Sequence, residues 1–239
     1  LTASGADSNV ATSEAGSGGV IAGSAAKAET STTSTTIAAA ETSTSGQRYT
    51  IAAPHGAVTI SAIHTASFGG SVDSTQASLA GKSGATLIHN VNATVDAHLG
   101  DYATLRAADL AISAKNLTHN YFVGEPAFGL YPGSTPKSGF NSDSAGWNVD
   151  SGSGGLIDLP AGSVAVNVAH ATNASIGQAA DVHLLAKAVG TSMLAVEAYN
   201  EIIAHQKAKL DSGGAIAVAS AEITIAVNAG ATASVGPGS

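Results

Sequence analysis

Apolar and polar residues alternate with period two along much of this chain. Val91, Ala93, Val95, Ala97 and Leu99 are interleaved with Asn92, Thr94, Asp96 and His98. Val164, Val166 and Val168 alternate with Ala165, Asn167 and Ala169, and Ile223, Ile225 and Val227 with Thr224, Ala226 and Asn228. A strand sends successive side chains to opposite faces, so these runs predict strands with one buried and one wet face. Residues 191–210 fit two templates. Thr191 or Ser192 could cap a helix with Lys207 and Lys209 near its end, yet Leu194, Val196, Ala198, Ile202, Ala204, Ala208 and Leu210 occupy even positions. The charges Glu197, Glu201, Lys207 and Lys209 all sit on odd ones, which favours a strand.

The alternation recurs within repeats. A Gly-rich tag followed by aliphatic residues begins at Ser17, Ser83, Ser153 and Ser212, at comparable intervals along the chain. A second element runs Val58-Thr-Ile-Ser-Ala62, Leu110-Ala-Ile-Ser-Ala114 and Val182-His-Leu-Leu-Ala186. A third pairs Ala174-Ser-Ile-Gly177 with Ala233-Ser-Val-Gly236. Repeats of this kind predict one β-solenoid spanning 1–239, in which stacked coils share hydrogen-bond ladders at the ~4.8 Å strand spacing. Dividing each unit of about 65 residues into three gives an expected coil of about 20 residues.

Composition narrows the picture. The 239 residues include 49 Ala and 28 Gly, with 11% charged and 4% aromatic. Small aliphatic side chains remove little apolar area each, so they can bury themselves only in a thin, close-stacked interior. The net charge of −8 and the scatter of seven Lys and two Arg argue against nucleic acid and against anionic membranes as partners. No apolar run approaches the ~18 residues of a membrane span, so membrane insertion is not expected. With no Cys, a disulfide framework is excluded and stability must come from backbone pairing and stacking. The chain opens Leu1-Thr2-Ala3 and closes Gly236-Pro-Gly-Ser239 inside a repeat. It is expected to be processed or part of something longer, with unpaired coil edges that pair with neighbouring copies or adjacent repeats.

One interval is too long for the pattern. The stretch from Ala114 to Ser153 is nearly twice that from Ala62 to Ser83, and it also well exceeds that from Ala186 to Ser212. The excess holds Tyr121, Phe122, Phe128, Tyr131, Phe140 and Trp147, six of the ten aromatics, and Pro126, Pro132 and Pro136. Proline cannot donate to a ladder, so residues 117–150 are expected to leave the stack as an inserted loop. Its rings could cover a flank of the rod or form a platform for a carbohydrate or protein partner, which makes these six the candidate ligand-binding residues. The Thr- and Ser-rich run from Thr30 to Gly46 is expected to be a flexible loop, with a Thr ladder or a glycosylated patch as alternatives.

Motifs for chemistry are weak. Gly81-Lys82-Ser83 lacks the first Gly of a phosphate-binding loop, since Gln76 stands there, and the Gly runs at 16–19 and 152–155 lack the third Gly of a dinucleotide fingerprint. Those runs read better as tight turns. The eight His residues show no metal-ligand spacing and are expected mostly on polar surface faces, so no metal, cofactor or catalytic residue is assigned. Glu125, Asp143, Asp150 and Asp158 keep one alternative alive, a carbohydrate-active β-helix enzyme (polysaccharide lyase or glycosidase-like) with carboxylates in a groove.

The run from Ser153-Gly-Gly-Leu-Ile157 through Ala171-Thr-Asn-Ala-Ser-Ile-Gly177 to Val182-His-Leu-Leu-Ala186 resembles the repeats of large bacterial filamentous adhesins, the filamentous-haemagglutinin-like and leukotoxin-like exoproteins. The likeness lies in composition and period and covers most of the chain. It implies an all-β, right-handed parallel β-helix with a long inserted loop, secreted to the cell surface. It also implies a structural rather than catalytic role, a stiff rod mediating attachment or extracellular assembly, with cell-surface glycans among its partners.

Overall fold

The structure, a computed structural model, describes residues 1–41, 46–120, 148–187 and 189–239. It is all-β, with no helix among these residues, and its strands form a parallel sheet that does not close into a barrel. The strands are β1 (Thr2–Ala40), β2 (Tyr49–Leu99), β3 (Ala103–Asn120), β4 (Val149–Gly154), β5 (Ile157–Ile176), β6 (Asp181–Leu184), β7 (Leu194–Ile203), β8 (Ala208–Ser212), β9 (Ile216–Ala217) and β10 (Ser220–Val235).

The chain makes successive passes along one path. β1 lies on β2 at a constant offset, from Thr2 with Ser61 to Ala40 with Leu99. The second half of β2 lies on β4 and β5, from Val72 with Val149 to Leu99 with Ile176. β5 then carries β10, from Ala161 with Ser220 to Ile176 with Val235. Columns of four residues result, such as Ala28, Leu87, Val164 and Ile223. The whole repeat is therefore a single pass, and the expected division of each repeat into three short coils is corrected.

A strand as long as β1 cannot run straight over a thin core. The side chains of Asn9 and Thr32 are hydrogen-bonded, as are those of Asp7 and Ser34, so the strand doubles back on itself. Two limbs thus face each other across a narrow interior, joined by an arc near Gly18 and Gly19. Residues 153–157 and 212–216 lie over that arc, with Ile21, Ala80, Ile157 and Ile216 in one column. A Cβ on Gly155 would come within 2.0 Å of the Ser78 carbonyl, which explains the glycine there. The tag at 83 does not share this place. Gln76 to Ala80 occupies the arc of the second pass, while Ser83 pairs with Ser24 and Pro160 in the returning limb.

The second sequence element divides likewise. Val58–Ala62 lies on Leu110–Ala114, but the third member of that stack is Leu194–Ala198. Val182 pairs instead with Leu105, earlier in the pass. Ala174 to Ile176 and Ala233 to Val235 are in register, with Ala97 to Leu99 beneath them. Each of these runs ends on a glycine, at 100, 177 and 236, whose N–H bonds to the pass below, as Gly177 does to the Leu99 carbonyl at 2.7 Å. A Cβ on Gly177 would sit 2.5 Å from the Asp101 amide, so this corner excludes side chains.

Two apolar clusters fill the interior. One joins Val95, Leu99 and Ile176 of the returning limb to Leu105, Leu110 and Ile112 of β3 and to Ala62 and Ala114, a core walled on three sides. The other lies between the two limbs around Phe68, Val72, Leu87, Val149 and Val164. Val91, Ala93, Val95, Ala97 and Leu99 are all buried, as the alternation predicts. Ile223, Ile225 and Val227 keep the alternating phase but are 42–53% exposed, because β10 pairs only with β5. Residues 194–203 are strand β7, in register on β3. Within the β2–β3 pair the register shifts where Pro54, His55 and Gly56 stand opposite Ala108; a proline N has no hydrogen to give the ladder, and the chain bulges around it.

Truncating a side chain in either cluster leaves a cavity that a stack of backbone ladders cannot close. Leu110→Ala and Phe68→Ala should each lower stability by about 2–5 kcal/mol in denaturant titrations. Val189→Ala, at an 89% exposed position, should change it by less than about 0.5 kcal/mol.

Candidate functional site

The inner positions between the two limbs are not all apolar. Inward columns run through Thr30 and His89, Thr36 and Val95, and His64 and Asn116. His89 Nδ1 and the Thr30 hydroxyl are 2.6 Å apart, His64 Nδ1 and the Thr36 hydroxyl 3.2 Å, and His170 Nε2 and the Thr118 hydroxyl 2.7 Å. Asn116 donates its amide to the Ala93 carbonyl across the interior at 2.9 Å. His64 Nε2 also lies 3.2 Å from the Asp7 carboxylate. Three of the eight histidines are thus buried; the other five are exposed or partly exposed, as expected of most of them.

The flexible-loop reading of the Thr- and Ser-rich run is corrected for residues 30–40, while residues 42–45 lie outside the described residues. Residues 30–36 belong to β1, with Thr30, Thr32, Ser34 and Thr36 directed inward onto His89, Asn9, Asp7 and His64. Its hydroxyls complete the polar interior. Hydroxyls are small enough for limbs this close, and they satisfy ring nitrogens that would otherwise be buried without partners.

Burial governs how these rings titrate. His89, against Phe68 with ring centroids 4.8 Å apart, is held down to about 4 by desolvation. His170 is lowered to about 4, chiefly by burial, with the charge of His64 adding to the effect and Asn200 opposing it. For His64 burial also wins, although Asp7 pulls the other way.

The six aromatics at 121, 122, 128, 131, 140 and 147 lie outside the described residues, as do Glu125 and Asp143. What the structure does place is the pair of points where that segment leaves and rejoins the stack. Asn120 pairs with Phe68 and Val149 with Val72, so the two ends are close together along the pass beneath. Residues 117–120 and 148–150, which the sequence assigned to the loop, belong to the stack. Each end is fixed by a buried asparagine that bonds to the backbone of the next pass. Asn120 donates to the His205 carbonyl and accepts the His205 N–H. Asn148 accepts the Lys207 N–H at 2.9 Å and donates to the Gly70 carbonyl at 3.3 Å.

The remaining acids serve the stack. Asp158 is buried and accepts the Gly213 N–H at 3.0 Å. Asp150 sits beside Lys209 at 3.6 Å, its carboxyl raised by burial although the lysine pulls it down. Among the described residues no group of His, Cys, Asp or Glu is arranged to hold a metal ion.

Sequence reasoning missed the inward histidines and the two asparagines, although the signal was present. His89 keeps the phase of Leu87 and Val91, and Asn120 that of Ala114, Asn116 and Thr118. Following phase rather than residue type would have placed them inside. Comparison with known proteins finds no matching family model, no matching curated protein and no matching solved structure.

The buried rings make stability depend on pH. A histidine whose folded value lies below its unfolded value of about 6.5 favours the neutral ring, so stability is full above 6.5 and falls as pH drops towards 4. His89 and His170, each near 4, should together remove several kcal/mol, on the order of 3 kcal/mol each. Denaturant midpoints measured between pH 7.5 and 4 should fall steeply, and His89→Leu should flatten the fall.

Proposed function

We propose that the chain is a structural segment of a secreted surface fibre or adhesin, a stiff rod that mediates attachment or extracellular assembly. The observation that carries the reading is the register, in which each strand position lies on its counterpart one pass earlier. A protein built this way is quasi-one-dimensional and gains length by adding passes, each contacting only its neighbours. The finer reading is a right-handed parallel β-helix, since parallel crossovers in one sheet are right-handed in nearly every case.

The anchoring of residues 120 and 148 supports a division of labour. Two asparagines hold the ends of the insertion close together on the rod, so the aromatic segment between them is free to carry recognition without breaking the ladder. Glycans at a cell surface are the proposed ligands, because aromatic rings suit the apolar faces of sugars and six of the chain's ten aromatics lie in this interval. No helix of the described residues is long and apolar enough to cross a membrane.

Replacing residues 121–147 with a short Gly-Ser connection tests this directly. The cost of changing loop length is small, so the β-type circular dichroism spectrum and the denaturant midpoint should survive. Binding to cells or to immobilised glycans should drop at least tenfold. Loss of fold on deletion would make the aromatics part of the core, and unchanged binding would remove the segment from recognition.

A further inference from the structure

The two outermost passes each present an edge with no partner among the described residues. β1 pairs only with β2, while β7, β8, β9 and β10 each pair with a single earlier strand. Every residue of β10 is exposed, including the inward series Ile223, Ile225 and Val227. At the arc, Ile21 is 84% exposed on one edge and Ile216 is 60% exposed on the other. An unpaired edge with a bare apolar face is a template for another strand.

The columns identify which strand fits. Continuing them by one pass sets the fourth member beside the first member of a second copy. Ile216 then falls on Ile21, because both belong to the column through Ala80 and Ile157. Glu222 falls on Lys27, through Thr86 and Ser163. Lys209 falls on Glu14, through Asp73 and Asp150. Three further charges of the last pass meet neutral residues: Glu197 meets Thr2, Glu201 meets Ala6 and Asp211 meets Gly16. Asp7 and Glu29 of the first pass meet Ile202 and Thr224. Two opposite-charge pairs thus form between copies, one in each limb, while Glu14, Asp73 and Asp150 stack within one copy. Lys209 already bonds Asp211 at 2.5 Å and Asp150 at 3.6 Å, and it is the one cation of a column that holds Glu14, Asp73 and Asp150, so Glu14 of a second copy would reach its far side.

We infer that the edge formed by β7 to β10 is a docking surface for the β1 edge of a second copy of this chain, in the register that continues the internal columns. Such a contact is head-to-tail and uses two different patches, so it propagates as an open filament rather than closing. Each copy adds four passes, which at the strand spacing gives an axial repeat of about 19 Å. The assembly rests on the fibre reading above and adds to it a partner, a polarity and a register.

The chain contains no cysteine, so introduced ones report the register alone. Thr33 and Asn228 end the column through Asn92 and Ala169. Mixing Thr33→Cys with Asn228→Cys under mild oxidation should yield cross-linked dimers, since directly paired positions lie within disulfide reach. Mixing Thr35→Cys with Asn228→Cys should not, since a shift of two positions puts the Cα atoms beyond the ~7 Å limit.

Lys27→Glu should raise the concentration needed for assembly about tenfold, and Lys27→Glu combined with Glu222→Lys should restore it. Circular dichroism of each variant separates lost docking from lost folding. Equal cross-linking in both registers, cross-links between two Asn228→Cys chains, or a chain that stays monomeric at assembly concentrations would overturn the inference. Single chains that still appear as rods in electron micrographs would in that case leave the fibre reading standing.

Discussion

Everything in this fold follows from a backbone ladder that keeps its register from one pass to the next. Once Thr2 is bonded beside Ser61, the side chain of every later residue is committed to stand next to its counterpart at the strand spacing. Columns replace isolated contacts as the unit of packing. A column tolerates Ala28, Leu87, Val164 and Ile223 because all four are apolar and the limbs can adjust around them. It does not tolerate a side chain at the corner, where Gly100, Gly177 and Gly236 press against the backbone of the pass below. The Ala-rich composition suits this geometry, since the two limbs face each other across a thin core in which a few large side chains, Phe68 and Leu87 among them, are packed between small ones.

That narrow gap also explains the polar interior. Burying imidazole among aliphatic residues costs free energy unless its nitrogens are bonded, and a hydroxyl is the partner that takes least space. Thr30, Thr36 and Thr118 therefore serve His89, His64 and His170. Such pairs also discriminate against slippage. Shifting a strand by one residue turns every side chain to the other face. A shift of two keeps the faces and would cost a run of Ala and Val little; in one direction it sets His89 beside the methyl of Ala28 and in the other beside the hydroxyl of Thr32. His89 thus opposes slip in the direction that removes its hydroxyl partner, and the buried rings make the fold sensitive to acid.

Period two made the strands legible, because alternation is a local property that needs no knowledge of what a strand pairs with. Residues 194–203 were readable for the same reason: their charges sat on odd positions whatever lay beside them. Register was only half legible. Ala174-Ser-Ile-Gly177 and Ala233-Ser-Val-Gly236 gave the right offset, since a corner glycine is imposed by backbone contact. The Gly tag at Ser83 and the alternation at Val182 did not share the register of their lookalikes, because glycine and alternating aliphatics also suit places other than the arc. Thr30 to Thr36 was misread because hydroxyl-rich runs are usually wet, and nothing local announces that the partners of those hydroxyls are His64 and His89. The asparagines at 120 and 148 were hidden by their distance in sequence, although they stand close to each other along the stack.

A repeating ladder must also solve the problem of its edges. An ordinary sheet blunts them with charge, proline or a covering helix. In β10 the inward Ile223, Ile225 and Val227 remain uncovered, and the charged residues of the last pass are few and placed in columns. Charge on an edge repels a copy only if it meets its own sign. In the inferred docking register Glu222 would stand above Lys27 and Lys209 above Glu14, which inverts that logic and would favour that register of approach. Exposed isoleucines at the arc supply apolar area, while the charged columns supply direction. Such an edge is unpaired among the described residues, and its pattern of sign and size is what the inferred register matches.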